Sequence, residues 1–216
     1  VQTLRSAHLE SVFKERFEDL KRLAKSNQML TMSRNLIRYH DHDGIAGEFI
    51  SKVYKSTIEE NLPHLKRFAG DFGCADLIII GRDWGRILFA LNNKEIIGQR
   101  MNQAAWAGTR LVQTYKTVLT TDRGAVMDFH PFEPDRGRET AFFAEPVIDS
   151  DGRMIAIMVA KLTPEFIDKF MESRKGLGQT GESYLLQYDL FEKKYELRST
   201  MKTMGDGAYV LGFSLG

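Results

Sequence analysis

Between Gly124 and Leu162 the chain reads GAVMDFHPFEPDRGRETAFFAEPVIDSDGRMIAIMVAKL, with two apolar runs hinged on Asp149-Ser150-Asp151-Gly152. Aromatic and β-branched residues favour strands, and an Asp/Gly cluster is turn chemistry, so this stretch predicts a β-meander whose last run, Met154 to Leu162, is a buried strand. Thr163-Pro164 then supplies an N-cap and a first helical residue. The same grammar occurs earlier: Ala75 to Ile80, the turn Gly81-Arg82-Asp83-Trp84-Gly85, and Arg86 to Leu91 form a second hairpin. Two hairpins separated by a helical stretch predict one antiparallel sheet in an α+β fold.

Helical periodicity frames that sheet. From Leu4 to about Asn35, apolar residues recur at Leu9, Val12, Phe13, Phe17, Leu20, Leu23 and Ala24 with neither Gly nor Pro between them. At about 1.5 Å per residue, a single helix of that length spans roughly 45 Å, longer than a compact domain needs. Phe49, Val53, Ile58, Leu62 and Leu65 mark a second helix toward Gly70. The intervening His40-Asp41-His42-Asp43-Gly44 lacks the i, i+4 spacing of a well-specified metal site and reads as a solvated turn, so no metal is expected. Met101 to Leu119 predicts one or two short helices, on which Trp106 and Arg110, four apart, share a face. Gly176-Leu177-Gly178-Gln179-Thr180-Gly181 fits G-x-G-x-x-G, but its order is helix, loop, strand rather than strand, loop, helix, so it introduces a second β unit rather than a dinucleotide.

Composition removes several classes of function. The 30 basic and 29 acidic residues are interleaved and leave a net charge of +1, without the one-signed surface that non-specific nucleic-acid binding needs. Cys74 is the one cysteine, which excludes an intrachain disulfide and a multi-cysteine metal site. No run approaches the roughly 18 apolar residues of a membrane-spanning helix. G-x-S-x-G, H-E-x-x-H and Walker patterns are missing, and Asp128, His130, Glu133, Asp135, Glu139 and Glu145 form a carboxylate-rich neighbourhood better suited to ligand binding or to solvent than to catalysis. The expectation is a non-enzyme without cofactor. The chain opens on Val1 and stops at Leu211 to Gly216 as a strand pattern forms, which predicts an excised piece of a longer protein.

The order of the long helix, Phe72 to Ile80, Asp83 to Leu88, Ile97-Gly98, Val126 to Phe129, Ala141 to Val147 and Asp151 to Ala156, followed by Gly176 to Leu186 and Arg198-Ser199, resembles the double Cache family of sensor domains. The resemblance implies helical stalk and covering helices over 1–70, a membrane-distal PAS-like module over 71–175, and the start of an incomplete membrane-proximal PAS-like module over 176–216. It further implies an extracytoplasmic location in a membrane-anchored chemoreceptor or histidine kinase, a homodimer formed through the N-terminal helix, and a small organic acid or amino acid as ligand. Trp106, Arg110, Tyr115 and Asp128 match the residue types of amino-acid-binding members in a different arrangement. Arg110, and after it Lys116, is then the expected carboxylate partner; Trp106, Phe129, Phe132 and Phe142 supply walls, and Asp128 and His130 orient polar groups. Phe142 and Phe143 point to opposite faces of their strand, so one at most faces a pocket. A competing reading makes the chain a dimerisation domain without a ligand, its seam the stripe Val12, Phe13, Phe17, Leu20 and Ala24.

Overall fold

The computed structural model describes residues 2–41, 48–166, 186–189, 194–197 and 214–215, with side-chain environments for 11–41 and 52–166. Three helices lead: α1 (Gln2–Ala24), α2 (Asn27–Asp41) and α3 (Glu48–Phe72). The hairpin β1 (Asp76–Gly81) and β2 (Ile87–Ala90) follows, then α4 (Arg110–Thr121) and the meander β3 (Ala125–Phe132), β4 (Arg138–Ile148) and β5 (Met154–Leu162). These strands form one antiparallel sheet in the order β2-β1-β5-β4-β3, the α+β architecture expected and consistent with a PAS-like module. The short strands β6 (Leu186–Asp189), β7 (Lys194–Leu197) and β8 (Ser214–Leu215) pair in a separate three-stranded sheet. Residues 167–185, including the helix end and the glycine-rich segment read above, lie outside the described residues.

Both faces of the main sheet are covered, which explains why β1 and β5 are apolar runs rather than alternating ones. Leu77 and Ile79 on β1, Phe143 and Val147 on β4, and Ala156, Met158 and Ala160 on β5 face a core shared with α1, α2 and α3. Ile78, Ile80, Phe142, Ala144, Ile157 and Val159 face the opposite way, into a second core closed by α4. Phe142 and Phe143 thus separate as the strand period requires. The β4–β5 turn is built as its composition predicts: the Asp149 carboxylate accepts the N–H groups of Asp151 and Arg153, both at 2.9 Å, and Gly152 takes φ +77°.

The N-terminal periodicity differs from the expectation in one respect. Instead of running unbroken to Asn35, the helix turns at Lys25–Ser26, where the Ser26 hydroxyl accepts the Met29 N–H at 3.2 Å and donates to the Leu23 carbonyl at 2.7 Å. Serine is a strong N-cap, and the turn lets α1 lie on β4 and β5 while α2 crosses the sheet and packs on α3. Ser26→Ala should cost about 1 kcal/mol in urea unfolding; an unchanged midpoint would mean packing alone sets the turn. His40 and Asp41 belong to the last turn of α2 rather than to a loop, and the His40 Nε2 is 3.1 Å from the Leu88 carbonyl oxygen. Residues 42–44 of the predicted turn lie outside the described residues.

The stripe Val12, Leu20 and Ala24, with Phe13 and Phe17, packs on the chain's own sheet. Phe143 sits at its focus, with ring centroids 5.8 Å from Phe13, 6.0 Å from Phe17 and 6.3 Å from Phe72. Among the described residues, no helix is long and apolar enough to cross a membrane.

Candidate functional site

The α4 side of the sheet gathers several of the residues singled out above. Thr109 caps α4, its hydroxyl accepting the Val112 N–H at 3.3 Å, and the helix lays Leu111, Val112, Tyr115 and Val118 on the second core. Trp106 precedes the helix in a short 3-10 turn rather than lying on it, so Trp106 and Arg110 do not share a helical face. The Trp106 indole is 1% exposed, donates to Gln99 Oε1 at 3.0 Å and lies 6.1 Å from the Phe132 ring, which meets Phe142 edge-on at 5.2 Å. Arg110, half-buried in the first turn, donates to Gln113 Oε1 at 2.8 Å.

A register shift between Met127 and His130 distributes the remaining candidates. Ala125 and Phe129, four apart, would share a face of a regular strand, yet Ala125 joins the α4-side core and Phe129 the helix-side core. Asp128 and His130 are exposed, and the Asp128 carboxylate accepts the Phe129 N–H at 2.7 Å. Trp106, Tyr115, Phe132 and Phe142 are therefore brought together in one core, while Phe129, Asp128 and His130 stand apart from it.

Two features escaped the sequence reading. The first is Lys161, whose side chain is only 11% exposed; its Nζ lies 2.6 Å from Asp135 Oδ2 and 5.5 Å from the centre of the Phe132 ring. A lysine inside the run MIAIMVAKL was the signal. The β1–β5 register sets it opposite Asp76, whose carboxylate is engaged by the N–H groups of Asn92 and Asn93 at 2.9 and 3.1 Å.

The second is a cavity of about 510 Å³ between α4, the 101–108 segment and the tip of the β1–β2 hairpin. Its walls include Met101, Val112 and the rings of Tyr115 and Trp84; Asn102 and Gln103 add polar groups, and Lys116 is the one charged side chain lining it among the described residues. Tyr115 donates to the Arg82 carbonyl at 2.7 Å, tying the hairpin tip to α4. Burial, and secondarily the nearby Asp83 carboxylate, raise the Tyr115 pKa above its ordinary value, so the hydroxyl remains a donor across the physiological range. The cavity is open to solvent along Trp84, Asn102, Gln103 and Lys116, all exposed, and its buried apolar floor of Met101, Val112 and Tyr115 suits a small molecule, for which its single cation favours an anion. Arg110, the first carboxylate partner expected from the sequence, is not among its lining residues, whereas Lys116 is. Among the described residues no group of three or more His, Cys, Asp or Glu side chains is placed to hold a metal ion.

No family model matches the chain, and no curated protein matches it. Solved structures similar to it include the sensor domain of Escherichia coli DcuS, 10% identical over 76% of this chain and 97% of that one, with a TM-score of 0.49. The periplasmic domain of Vibrio cholerae LuxQ is 16% identical over 98% of this chain and 83% of its own, with a TM-score of 0.49. The sensor domain of the V. cholerae histidine kinase DctB is 13% identical over 99% and 90%, with a TM-score of 0.46.

Proposed function

We propose that this chain is the extracytoplasmic ligand-sensing part of a membrane-anchored signal-transduction receptor, with 71–175 as the sensing module, 1–70 as its helical stalk and cover, and 176–216 as the start of a second module. The observation that carries this reading is the α4 cavity, whose lining combines apolar and aromatic side chains with one cation, the exposed Lys116. Its ligand is a small organic acid or amino acid, with the carboxylate at Lys116. The chain does not act as an enzyme.

The architecture provides a route for the signal. The helix bordering the cavity packs on β3 and β4, and α1 packs on β4 and β5 from the other face. A ligand that favours one seating of α4 biases the sheet and, through it, the N-terminal helix, by no more than its difference in affinity for the two arrangements. Since the apolar stripe of α1 is occupied by the chain's own sheet, a homodimer through this helix uses another of its faces.

Thermal-shift and calorimetric titration of the 216-residue chain with a panel of small organic acids and amino acids tests the reading. A binding acid at one hundred times its Kd should add about 2.7 kcal/mol of apparent stability. Lys116→Ala should weaken that acid by about tenfold, as expected for loss of a charge-assisted hydrogen bond. If no compound raises the melting temperature, or if Lys116→Ala binds acids as the parent does, the cavity is not a sensing site.

A further inference from the structure

Trp84 is the feature of the cavity that the sensing function does not yet use. It is 74% exposed, the most exposed large apolar side chain among the described residues, and its backbone stands at φ 65°, a left-handed conformation that costs a bulky residue on the order of 1 kcal/mol or more. The tip that carries it is firmly held. Gly85, at φ +56°, passes so close to its neighbours that a Cβ there would lie 2.9 Å from Met101 Cβ and 3.1 Å from Tyr115 Cζ. The Met101 N–H donates to the Gly85 carbonyl at 3.0 Å, the Arg82 N–H to Ile155 at 3.0 Å, and Tyr115 to Arg82 at 2.7 Å. A strained, solvent-facing indole on an anchored turn at the edge of a cavity presents a ring face that the fold itself leaves uncovered.

We infer that the acid bound in this cavity carries a flat aromatic ring, which stacks on Trp84 while its carboxylate reaches Lys116. The inference rests on the reading of the cavity as a carboxylate site. Space is ample, since about 150 Å³ suffices for benzene and this cavity measures about 510 Å³. Met101 and Val112 line the cavity with apolar surface, and the amides of Asn102 and Gln103 add neutral donors to the same lining. An offset-stacked aromatic pair is favoured over an aliphatic ring of similar size by roughly three- to tenfold in affinity.

Phenylacetate and cyclohexylacetate make the comparison, because they share the carboxylate and differ in the π-face. Titrated into the 216-residue chain, phenylacetate should bind roughly three- to tenfold more tightly and quench the red edge of the tryptophan emission, where exposed Trp84 contributes and buried Trp106 does not. Trp84→Gly, which suits the positive φ and so preserves the turn, should abolish that preference and the quenching while the melting temperature of the free protein does not fall. Trp84→Asn, also tolerated at this φ, should behave alike. Equal binding of the two acids, or a preference that survives both variants, overturns the aromatic assignment. Should aliphatic acids bind in a Lys116-dependent and Trp84-independent manner, the sensing site stands and the ring does not. If no acid binds at all, both fall.

Discussion

Phe143→Ala should lower the free energy of unfolding by about 3–5 kcal/mol, the cost of emptying a fully buried aromatic site. Phe143 is 1% exposed and is the residue at which three helical rings, Phe13, Phe17 and Phe72, meet the sheet. Its removal leaves a gap bounded by α1, α3 and β4, elements that are pinned elsewhere and cannot all collapse into it. Urea unfolding followed by circular dichroism measures the loss. Val126→Ala, at a position 52% exposed on β3, is the matched control and should stay within about 0.5 kcal/mol of the parent. A loss below about 1 kcal/mol at Phe143 would show that the α1 layer is not seated on the sheet as described.

A second large effect is expected two positions along β4. Glu145 is 4% exposed beneath α1, and Gly124 opposes it so closely that any Cβ there would overlap its carboxylate and lie 2.7 Å from Phe17 Cζ. Burial raises its pKa above the ordinary glutamate value of 4.5; Lys21 and Lys25 on α1 pull it back down, while Glu18 adds to the rise. Because the folded pKa exceeds the unfolded one, the stability associated with the protonated form is fully present below pH 4.5 and is lost as pH rises through the folded pKa. Glu145→Gln, which mimics the protonated carboxyl, should therefore raise the melting temperature at pH 7 to 8. Its advantage should shrink toward zero as the pH falls below 4.5, where the parent is protonated as well. Melting curves of the two proteins across that range, with the difference taken at each pH so that other groups cancel, decide it. A Gln variant less stable than the parent at neutral pH would mean that the Lys21 and Lys25 attraction outweighs desolvation.

How much was legible in the chain depended on how local the determinant was. The strands of the meander were readable because Ala141 to Val147 and Met154 to Leu162 are apolar without interruption and the Asp149 to Gly152 turn carries its own hydrogen-bond acceptors. The helix break at Ser26 was missed because nothing there forbids a helix; a serine becomes an N-cap only when packing asks the chain to turn. Trp106 and Arg110 were read as one helical face because their spacing permits it, whereas Gly108 at φ +77° and the Thr109 cap start the helix between them. Of the residues that line the α4 cavity, Tyr115 and the alternative cation Lys116 are ones the sequence had already proposed by residue type. Trp84 was seen only as a turn residue, since its exposure at the edge of the cavity depends on how the hairpin docks.

What the sequence determined by itself was the class of fold and the need for cover. A strand such as Met154 to Leu162, apolar on both sides, must be sandwiched, and the amphipathic segments before it supply the layers. What only the tertiary structure decided was register and encounter. The bulge between Met127 and His130 sends Phe129 to the helix side, and the docking of the hairpin tip brings Arg82 against Tyr115, 33 positions away, with Trp84 and Lys116 lining one cavity. Such meetings depend on how whole layers settle against one another, a long-range balance of packing that leaves no periodicity in the residues it joins.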